Sequence, residues 1–534
     1  MEELYFRIAD GAPPTAHDAA TLRNALGRAP DEVLNAGQLA YTTSPPALSE
    51  LEGVSARARF VVTLYSALED AGVDDSNKHA WTEYATTVTR NICECLRPFA
   101  FKWHAEDATV DARCTTFHAT VTDLLTALAF TLAYTPVDAL VIEALATYSY
   151  PANDPWCTPE ASALALALID KYTPNLDMPA ISCIILTHTL RPLFQSTRHK
   201  FVSDTGRVSK DRVHELRQIS YNDSESWSSR RPEAASILHF ILANATTADT
   251  TFTTSAWSLL VPSTLAVLDD PLPAHKTRGC ELLRIIFTTT SPDFVMVTGL
   301  APVFWDTLMT CLAYLPLGSS SISVPESVAL IDAALGDLVL LATIRARGDG
   351  AKSATFAGTT RKEDDALLRK YLGLIVIDGI YRALSFRVDE VALQQLFITH
   401  LARLATALGI AFASYLERGV GILVDVLSEP FATLCPPLVY AALDALGTFE
   451  RAVAKRIVYY RFAVLKGLLF CWRQAVKGDG EDIAAVKRRL QESAEELKAV
   501  VVSEISPGEW DTCVAAVCKL DSSYSGLFKN KTFV

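Results

Sequence analysis

The feature that most constrains this chain is the spacing of its apolar residues, which recur every three or four positions along almost the whole sequence. That spacing places them on one face of an α-helix, and the alternating runs typical of half-buried strands are few. Short turns rich in Pro, Asp and Asn interrupt the pattern. Because each helix must bury its apolar face on a neighbour, successive helix pairs predict an all-α fold, an α-solenoid of antiparallel pairs. A compact helical protein is the competing interpretation.

Three less helical stretches, at residues 30–52, 195–231 and 348–362, divide the pattern. We therefore predict an N-terminal helical-repeat region over residues 1–194, a long polar loop over 195–231 and a C-terminal helical-repeat region over 232–534. Within the last region we predict long single helices over 388–417 and 449–476. The loop begins with basic residues and ends in an acidic, Ser-rich stretch, so it is either a mobile surface loop or a segment that binds a partner or is phosphorylated.

The charge balance argues against nucleic acid as a partner. The chain has 48 Lys and Arg against 61 Asp and Glu, a net charge of −13, which on average repels phosphate backbones. Its first residues, MEELYFRIAD, show neither the basic leader nor the apolar core of a signal peptide, so we expect a cytoplasmic and nuclear protein. Eleven scattered cysteines indicate reduced, mostly buried thiols.

Two apolar runs have the length of membrane spans but carry charges. The run at residues 328–344 contains Asp332 and Asp337, and the run at 407–427 contains Glu417 and Arg418. Charges near the centre of a bilayer are costly, so we expect both runs to be buried helices and the protein to have no membrane partner.

The sequence shows no motif for catalysis, metal binding or cofactor binding. Cys93 and Cys95 lie on different faces of a predicted helix, and no second Cys or His pair follows at zinc spacing. The segment GDGAKS at residues 348–353 lacks the adjacent Gly and Lys of a phosphate loop. No Ser lies in a Gly-x-Ser-x-Gly turn. We therefore predict no catalytic residues, no metal and no cofactor, so the protein is not an enzyme.

Residues 255–288 read as one repeat unit. The first helix carries Pro262, Leu265 and Leu268; Asp270 lies in the turn; the second helix carries Lys276, Arg278, Gly279 and Leu283. An aspartate at the turn can cap the second helix and reach a cation on a neighbouring unit. A small residue such as Gly279 lets two helices approach closely. This combination is similar to a HEAT repeat, and we predict that these eight residues are structural.

An ordered set of phrases in the same region resembles the Tel-two-interacting-protein-two family. In that family a helix ends in RPLF or KPLF, a polar loop with Thr and Gly-Arg follows, and LLxPxLxLLDDxxxxxKxRGCELL comes next. Here RPLF occupies residues 191–194, Thr205-Gly206-Arg207 lies in the loop, and LLVPSTLAVLDDPLPAHKTRGCELL occupies residues 259–283. The loop lacks the proline expected near Asp204 and is longer and more charged than the family pattern.

The resemblance implies a function that the residues alone do not. It implies a non-catalytic scaffold subunit of the triple-T co-chaperone complex, together with the Tel-two protein and a larger HEAT-repeat subunit. That complex works with the ATP-dependent heat-shock chaperone and the RuvB-like co-chaperone. Together they support the maturation of phosphatidylinositol 3-kinase-related kinases, which act in the DNA damage response, telomere maintenance and TOR signalling.

For partner binding we predict the C-terminal half, where aromatic residues crowd one segment. These candidates are Tyr459, Tyr460, Phe462, Phe470 and Trp472. Aromatic side chains are frequent interface anchors, although a place in the core explains them equally well. Another HEAT-type adaptor, for example in nuclear transport, and an all-α enzyme with an unrecognised site are the alternative functions.

Overall fold

A computed structural model describes residues 46–71, 78–99, 108–150, 154–194, 207, 226–248, 251–316, 322–353, 361–385 and 390–528. These residues form helices and connecting turns, with no strand among them, which confirms the predicted all-α fold of HEAT-like helix pairs. Most of the polar loop predicted at 195–231 lies outside the described residues. The internal contacts divide the chain into two units. The boundary along the chain lies between Asp270 and Pro271, and Thr288–Thr290 also belongs to the first unit.

The first unit contains ten helices in the described ranges. They are α1 (Leu48–Ala71), α2 (Lys78–Cys95), α3 (Ala108–Thr131), α4 (Ala139–Ala146), α5 (Pro159–Tyr172), α6 (Met178–Phe194), α7 (Trp227–Arg230), α8 (Ala234–Ala248), α9 (Phe252–Ser255) and α10 (Trp257–Leu268). Side-chain caps define several starts: Asp138, Thr158 and Asp177 each accept a hydrogen bond from a backbone N–H of the first turn. These contacts satisfy donors that the helix itself leaves free.

A buried ionic network joins three helices of this unit. On α4, Glu143 accepts hydrogen bonds from the Arg231 guanidinium at 2.8 Å and from the Thr189 hydroxyl of α6 at 2.8 Å. Arg231 also donates to Glu233, at the start of α8, at 2.7 Å. Both carboxylates are almost fully buried, so the shared arginine offsets the cost of removing them from water.

The second unit runs from Pro271 to the C-terminal end of the described chain. Its helices are α11 (Pro273–Thr289), α12 (Pro292–Thr298), α13 (Ala301–Cys311), α14 (Val324–Ser353), α15 (Arg361–Leu374), α16 (Arg382–Ser385), α17 (Val391–Leu408), α18 (Leu416–Ser428), α19 (Pro436–Ala452), α20 (Ala454–Ile457), α21 (Arg461–Lys477), α22 (Glu481–Glu504) and α23 (Pro507–Leu520). A π-helical segment, Ile375–Tyr381, joins α15 to α16.

The last part of this unit shows how the helix pairs stack. Helices α17, α19 and α22 pack in succession in one row, and α18 packs on α21 in a second row. Contacts of α18 with α19 and of α21 with α22 join the rows. Helices α18 and α21 approach closely at Gly467, where a Cβ would lie 3.4 Å from Val424 Cα, at van der Waals contact. This arrangement buries one face of each helix and leaves the opposite face of α21 exposed.

Two predicted helices are wrong in their extent. The helix predicted over 388–417 ends at Leu408, because Gly409 adopts a positive φ of 54° and a 3₁₀ segment, Gly409–Ser414, follows. The segment predicted as one helix over 449–476 is divided. Its first residues belong to α19, which continues to Ala452. The helix breaks at Val453, whose φ of −138° and ψ of 44° are not helical. The short helix α12 was not predicted.

Within the described part of the chain, two helices are long and apolar enough to cross a membrane by length and composition, Val324–Arg347 and Val391–Ser414, and the bent pair α12 and α13 would count as a third span. Their polar residues nevertheless make contacts inside the second unit. Asp337 is fully buried and accepts a hydrogen bond from Arg284 Nε at 2.8 Å. Asp332 lies 2.7 Å from His400 Nε2, which links α14 to α17. These polar contacts with other helices are typical of helices that pack against protein.

One buried carboxyl group in this unit makes no hydrogen bond with any described residue. Glu450 of α19 is 2% exposed, and neither of its carboxylate oxygens has such a partner. Burial, together with the nearby Glu496 of α22 and against the opposing effect of Arg451, raises the pKa of Glu450 to about 8. The group is therefore neutral in the folded chain over most of the physiological pH range.

The burial of Leu283 generates a first prediction. Leu283 on α11 is fully buried, so Leu283→Asp should place an uncompensated charge in the core and cost about 2 to 4 kcal/mol. Ala274→Asp, at an exposed position in the first turn of the same helix, should change stability by less than about 0.5 kcal/mol. Urea unfolding followed by circular dichroism measures both. Equal unfolding midpoints for the two variants would contradict the burial.

A second prediction concerns Glu450→Gln, which keeps the side-chain shape and removes the titration. The folded chain holds this proton up to about pH 8, while the unfolded chain releases it near the ordinary glutamate pKa, so the wild type loses stability as pH rises between these values. We expect the variant to equal the wild type at low pH and to gain up to about 1.4 kcal/mol per pH unit until about pH 8.

The measurement for Glu450→Gln is the difference in unfolding free energy between variant and wild type at several pH values from 4.5 to 8.5. Glu429→Gln, at an exposed carboxylate of the same unit, serves as the control and should give a flat difference. A flat difference for Glu450→Gln as well would show that the carboxyl group titrates normally.

Candidate partner-binding surface

The structure brings together the two sequence motifs on which the family resemblance depends. The RPLF residues end α6, and α10, which carries Pro262, packs against this end of α6. Pro262, Leu265 and Leu268 are all buried. Asp270 follows α10, and its carboxylate accepts a long hydrogen bond from Ser228 Oγ of α7 at 3.5 Å. The first half of the predicted repeat is therefore part of the core of the first unit.

The residues of the second half lie on α11 and are also buried. Lys276 places its Nζ 5.0 Å from the centre of the Tyr314 ring, which follows α13. Arg278 lies 3.6 Å from Glu281 on the same helix. Gly279 and Leu283 are inaccessible to solvent. These positions are consistent with structural roles, and the predicted capping by Asp270 stays a prediction.

Exposed apolar side chains concentrate in one part of the second unit. Phe431, Leu434, Tyr459 and Phe462 have more than half of their surface exposed, and Phe470 is 43% exposed. Among described residues, seven aliphatic side chains elsewhere are at least as exposed as Phe470, but the exposed large aromatic side chains all lie in this part. A concentration of exposed aromatic residues is typical of protein-binding surfaces.

The structure separates the five aromatic residues that we singled out. Tyr459 and Phe462 are exposed, Phe470 is partly exposed, and Tyr460 is half-buried. Trp472 is buried, and its indole Nε1 donates a hydrogen bond to the backbone oxygen of Ser523 at 3.0 Å. It therefore belongs to the core and is not available to a partner.

The exposed residues of α21 form a single stripe. Phe462, Lys466 and Phe470 are spaced four residues apart, and Arg473 and Lys477 continue the same face. The opposite face carries Val464, Leu465, Leu468, Cys471 and Ala475, all buried against the neighbouring helices. The packing of α21 thus fixes the orientation of the stripe, which we call the α21 face.

The α21 face lies within a segment of strong positive charge. Between residues 451 and 477 the sequence contains seven basic residues and no acidic one. The basic residues are Arg451, Lys455, Arg456, Arg461, Lys466, Arg473 and Lys477. All except the half-buried Arg461 are exposed. This local excess contrasts with the net charge of −13 for the whole chain.

Sequence reasoning missed two neighbours of this face. Phe431 precedes a 3₁₀ turn, Ala432–Leu434, that ends at Leu434 and packs against α18 and α21. Their exposure depends on this packing and leaves no periodic signal in the sequence. The absence of acidic residues from 451 to 477, by contrast, was readable from the sequence and marks the same region.

The cysteines and the other candidate reactive groups form no recognisable reaction site in the part of the chain that the structure describes. Among described residues, no group of three His, Cys, Asp or Glu side chains is arranged to hold a metal ion. Burial raises the pKa of Cys93 above its usual range and that of Cys95 to about 12, so both thiols are poor nucleophiles at neutral pH. A polar cavity of about 170 Å³ lies between α19 and α22, where Arg489 pairs with Asp444.

Several solved helical-repeat proteins are similar to this chain at low identity. Yeast importin-beta (Kap95p) matches with 11% identity and a TM-score of 0.37, over 98% of this chain and 57% of that protein. Kap121p bound to Pho4p matches with 14% identity and a TM-score of 0.38, over 96% of this chain and 49% of that protein. The chain thus spans about half the length of these structures. Likenesses this distant do not bear on function.

The comparison with protein families is more specific. The model of the Tti2 family matches residues 141–434, which is more than half of the 534 residues. The matched part includes α6, α10 and α11, where the sequence resemblance was found. It also spans the boundary between the two units. This chain belongs to the Tti2 family.

Proposed function

We propose that this protein is a non-catalytic scaffold subunit of a TTT-type co-chaperone complex and supports the maturation and stability of phosphatidylinositol 3-kinase-related kinases. Family membership is the observation that carries the proposal. Its direct partners would be the larger HEAT-repeat triple-T subunit and the Tel-two protein. The heat-shock chaperone, the RuvB-like co-chaperone and the kinases would be bound indirectly.

The structure supports a binding role through its surface. Stacked helix pairs present continuous outer faces, and a side chain on such a face is held in place by the core beneath it. The α21 face offers Phe462 and Phe470 on a helix whose other side is fully packed. A rigid, exposed aromatic pair loses little conformational freedom when a partner covers it.

The two alternative functions make different demands. A nuclear-transport adaptor would bind transport cargo and its regulators and not the triple-T subunits. An enzyme would turn over a substrate without any of these partners. A test of the function therefore has to record both which proteins the chain binds and whether it turns over a substrate.

The prediction is that the intact chain binds the larger triple-T subunit directly and that its loss lowers the amounts of newly made kinases of this family. Purified chain and purified subunit should co-elute in size-exclusion chromatography. In cells depleted of the protein, pulse-labelled kinases of the family should decay faster, and re-expression of the intact chain should restore their lifetime. An unrelated kinase of similar size serves as the control.

Failure to bind the larger subunit, combined with unchanged kinase lifetimes, would contradict the proposal. Co-purification with transport cargo in place of the triple-T subunits would favour the adaptor. Turnover in an ATPase and hydrolase screen, abolished by a point substitution that leaves partner binding intact, would show that the chain is not purely a scaffold.

A further inference from the structure

The α21 face combines two properties that point to the chemistry of its partner. Its apolar part consists of Phe462 and Phe470, with Tyr459 just before the helix and Leu434 in the adjacent turn. Its polar part consists of cations. Both aromatic rings of the α21 face remain substantially exposed, Phe462 by 55% and Phe470 by 43%.

The cations of the face are not balanced by carboxylates on the same segment. The segment from residue 451 to 477 contains seven Lys and Arg residues and no Asp or Glu, whereas the whole chain has a net charge of −13. Arg461 places its guanidinium 4.3 Å from the centre of the Phe462 ring, and Lys466 lies 5.9 Å from that of Phe470. Arg461 also pairs with Glu509 Oε1 at 2.7 Å, so the cation that an approaching acidic group would meet beside the rings is the exposed Lys466.

The spacing of the two rings fits a helix better than an extended strand. Phe462 and Phe470 lie eight residues apart on one helix, which corresponds to about 12 Å along its axis. The apolar side chains of a second helix repeat every three or four residues, so two of its turns can pack between and beside these rings. A partner that binds by adding a β-strand would need an exposed sheet edge, and the described residues contain no strand.

Polyanions of other classes match the face less well. Nucleic acid recognition would add phosphate contacts over a wide area, which the negative charge of the whole chain opposes. A membrane surface would require the apolar part to insert into lipid. That part here is confined to a few side chains on a packed helix.

We propose that the α21 face binds an acidic amphipathic helix of a partner protein, with Phe462 and Phe470 as apolar anchors and Lys466 and Arg473 as charge partners. The inference rests on the proposed function, in which that helix belongs to the larger triple-T subunit. The aromatic anchors set the lifetime of the complex. The cations set the rate of association and its dependence on salt.

Two paired substitutions in the intact chain test the two halves of the proposal, with the purified larger triple-T subunit as the probe. Phe462→Ala with Phe470→Ala should weaken binding about 30-fold or more, mainly through faster dissociation. Lys466→Glu with Arg473→Glu should slow association about tenfold and reduce the salt dependence of its rate. Biolayer interferometry at 50, 150 and 500 mM KCl measures both rates.

Matched controls lie elsewhere in the same unit. Ile410→Ala removes an exposed apolar side chain, and Arg369→Glu with Lys370→Glu reverses two exposed charges on α15. Both should leave affinity within about twofold of wild type. Melting temperatures establish that every variant is folded. A photocrosslinker in place of Phe470 should then capture an acidic helical segment of the subunit.

The outcomes separate the two proposals. If the wild type binds the subunit and both pairs of substitutions leave the rates unchanged, the α21 face is not the binding surface, while the proposed function stands. If crosslinking maps to a segment that is neither helical nor acidic, the partner chemistry is wrong. The same holds if the substitutions alter binding to RNA or to anionic vesicles and not to the subunit. If the wild type does not bind the subunit at all, the result contradicts the proposed function itself.

Discussion

Every helix of this protein has an apolar face that only other helices can cover, and the rest of the structure depends on this constraint. A single helix pair cannot bury its own surface, so each pair relies on the next. The contact of α18 with α21 shows how close the packing is, because a Cβ at Gly467 would already touch Val424 and Leu427. Once that contact forms, the orientation of α21 is fixed. The same packing that buries Leu468 and Trp472 holds Phe462 and Phe470 at the surface.

Much of the fold was predictable because helix propensity, periodicity and stop signals agree along the chain. The helix Glu481–Glu504 carries a regular apolar stripe in the sequence, and Pro436 is the first residue of α19, where proline is well tolerated. The failures have local causes. Gly409 ends a helix through a left-handed conformation within an apolar run, and Val453 breaks one with no Gly or Pro to signal it. At Val453 tertiary packing overrides the preference of the sequence.

The candidate site was predictable in composition and only partly in geometry. Aromatic crowding identified the right segment but not which rings are exposed. The helical stripe could have separated them, since Trp472 lies four residues after the buried Leu468, while Phe470 lies eight after Phe462. The exposure of Phe431 and the burial of Glu450 depend on contacts between helices distant in sequence, and no local pattern reports these. Membership of the Tti2 family came from a different source, the phrases around α6, α10 and α11.

We propose that this chain works by holding a larger helical protein on the α21 face of its second unit. Hydrogen exchange of the intact chain, measured by mass spectrometry with and without the larger triple-T subunit, tests it most directly. We predict slower exchange on binding for peptides covering 455–477 and 429–436, with little change in the first unit. Protection confined to the first unit, or none anywhere under conditions where the complex is saturated, would contradict the account.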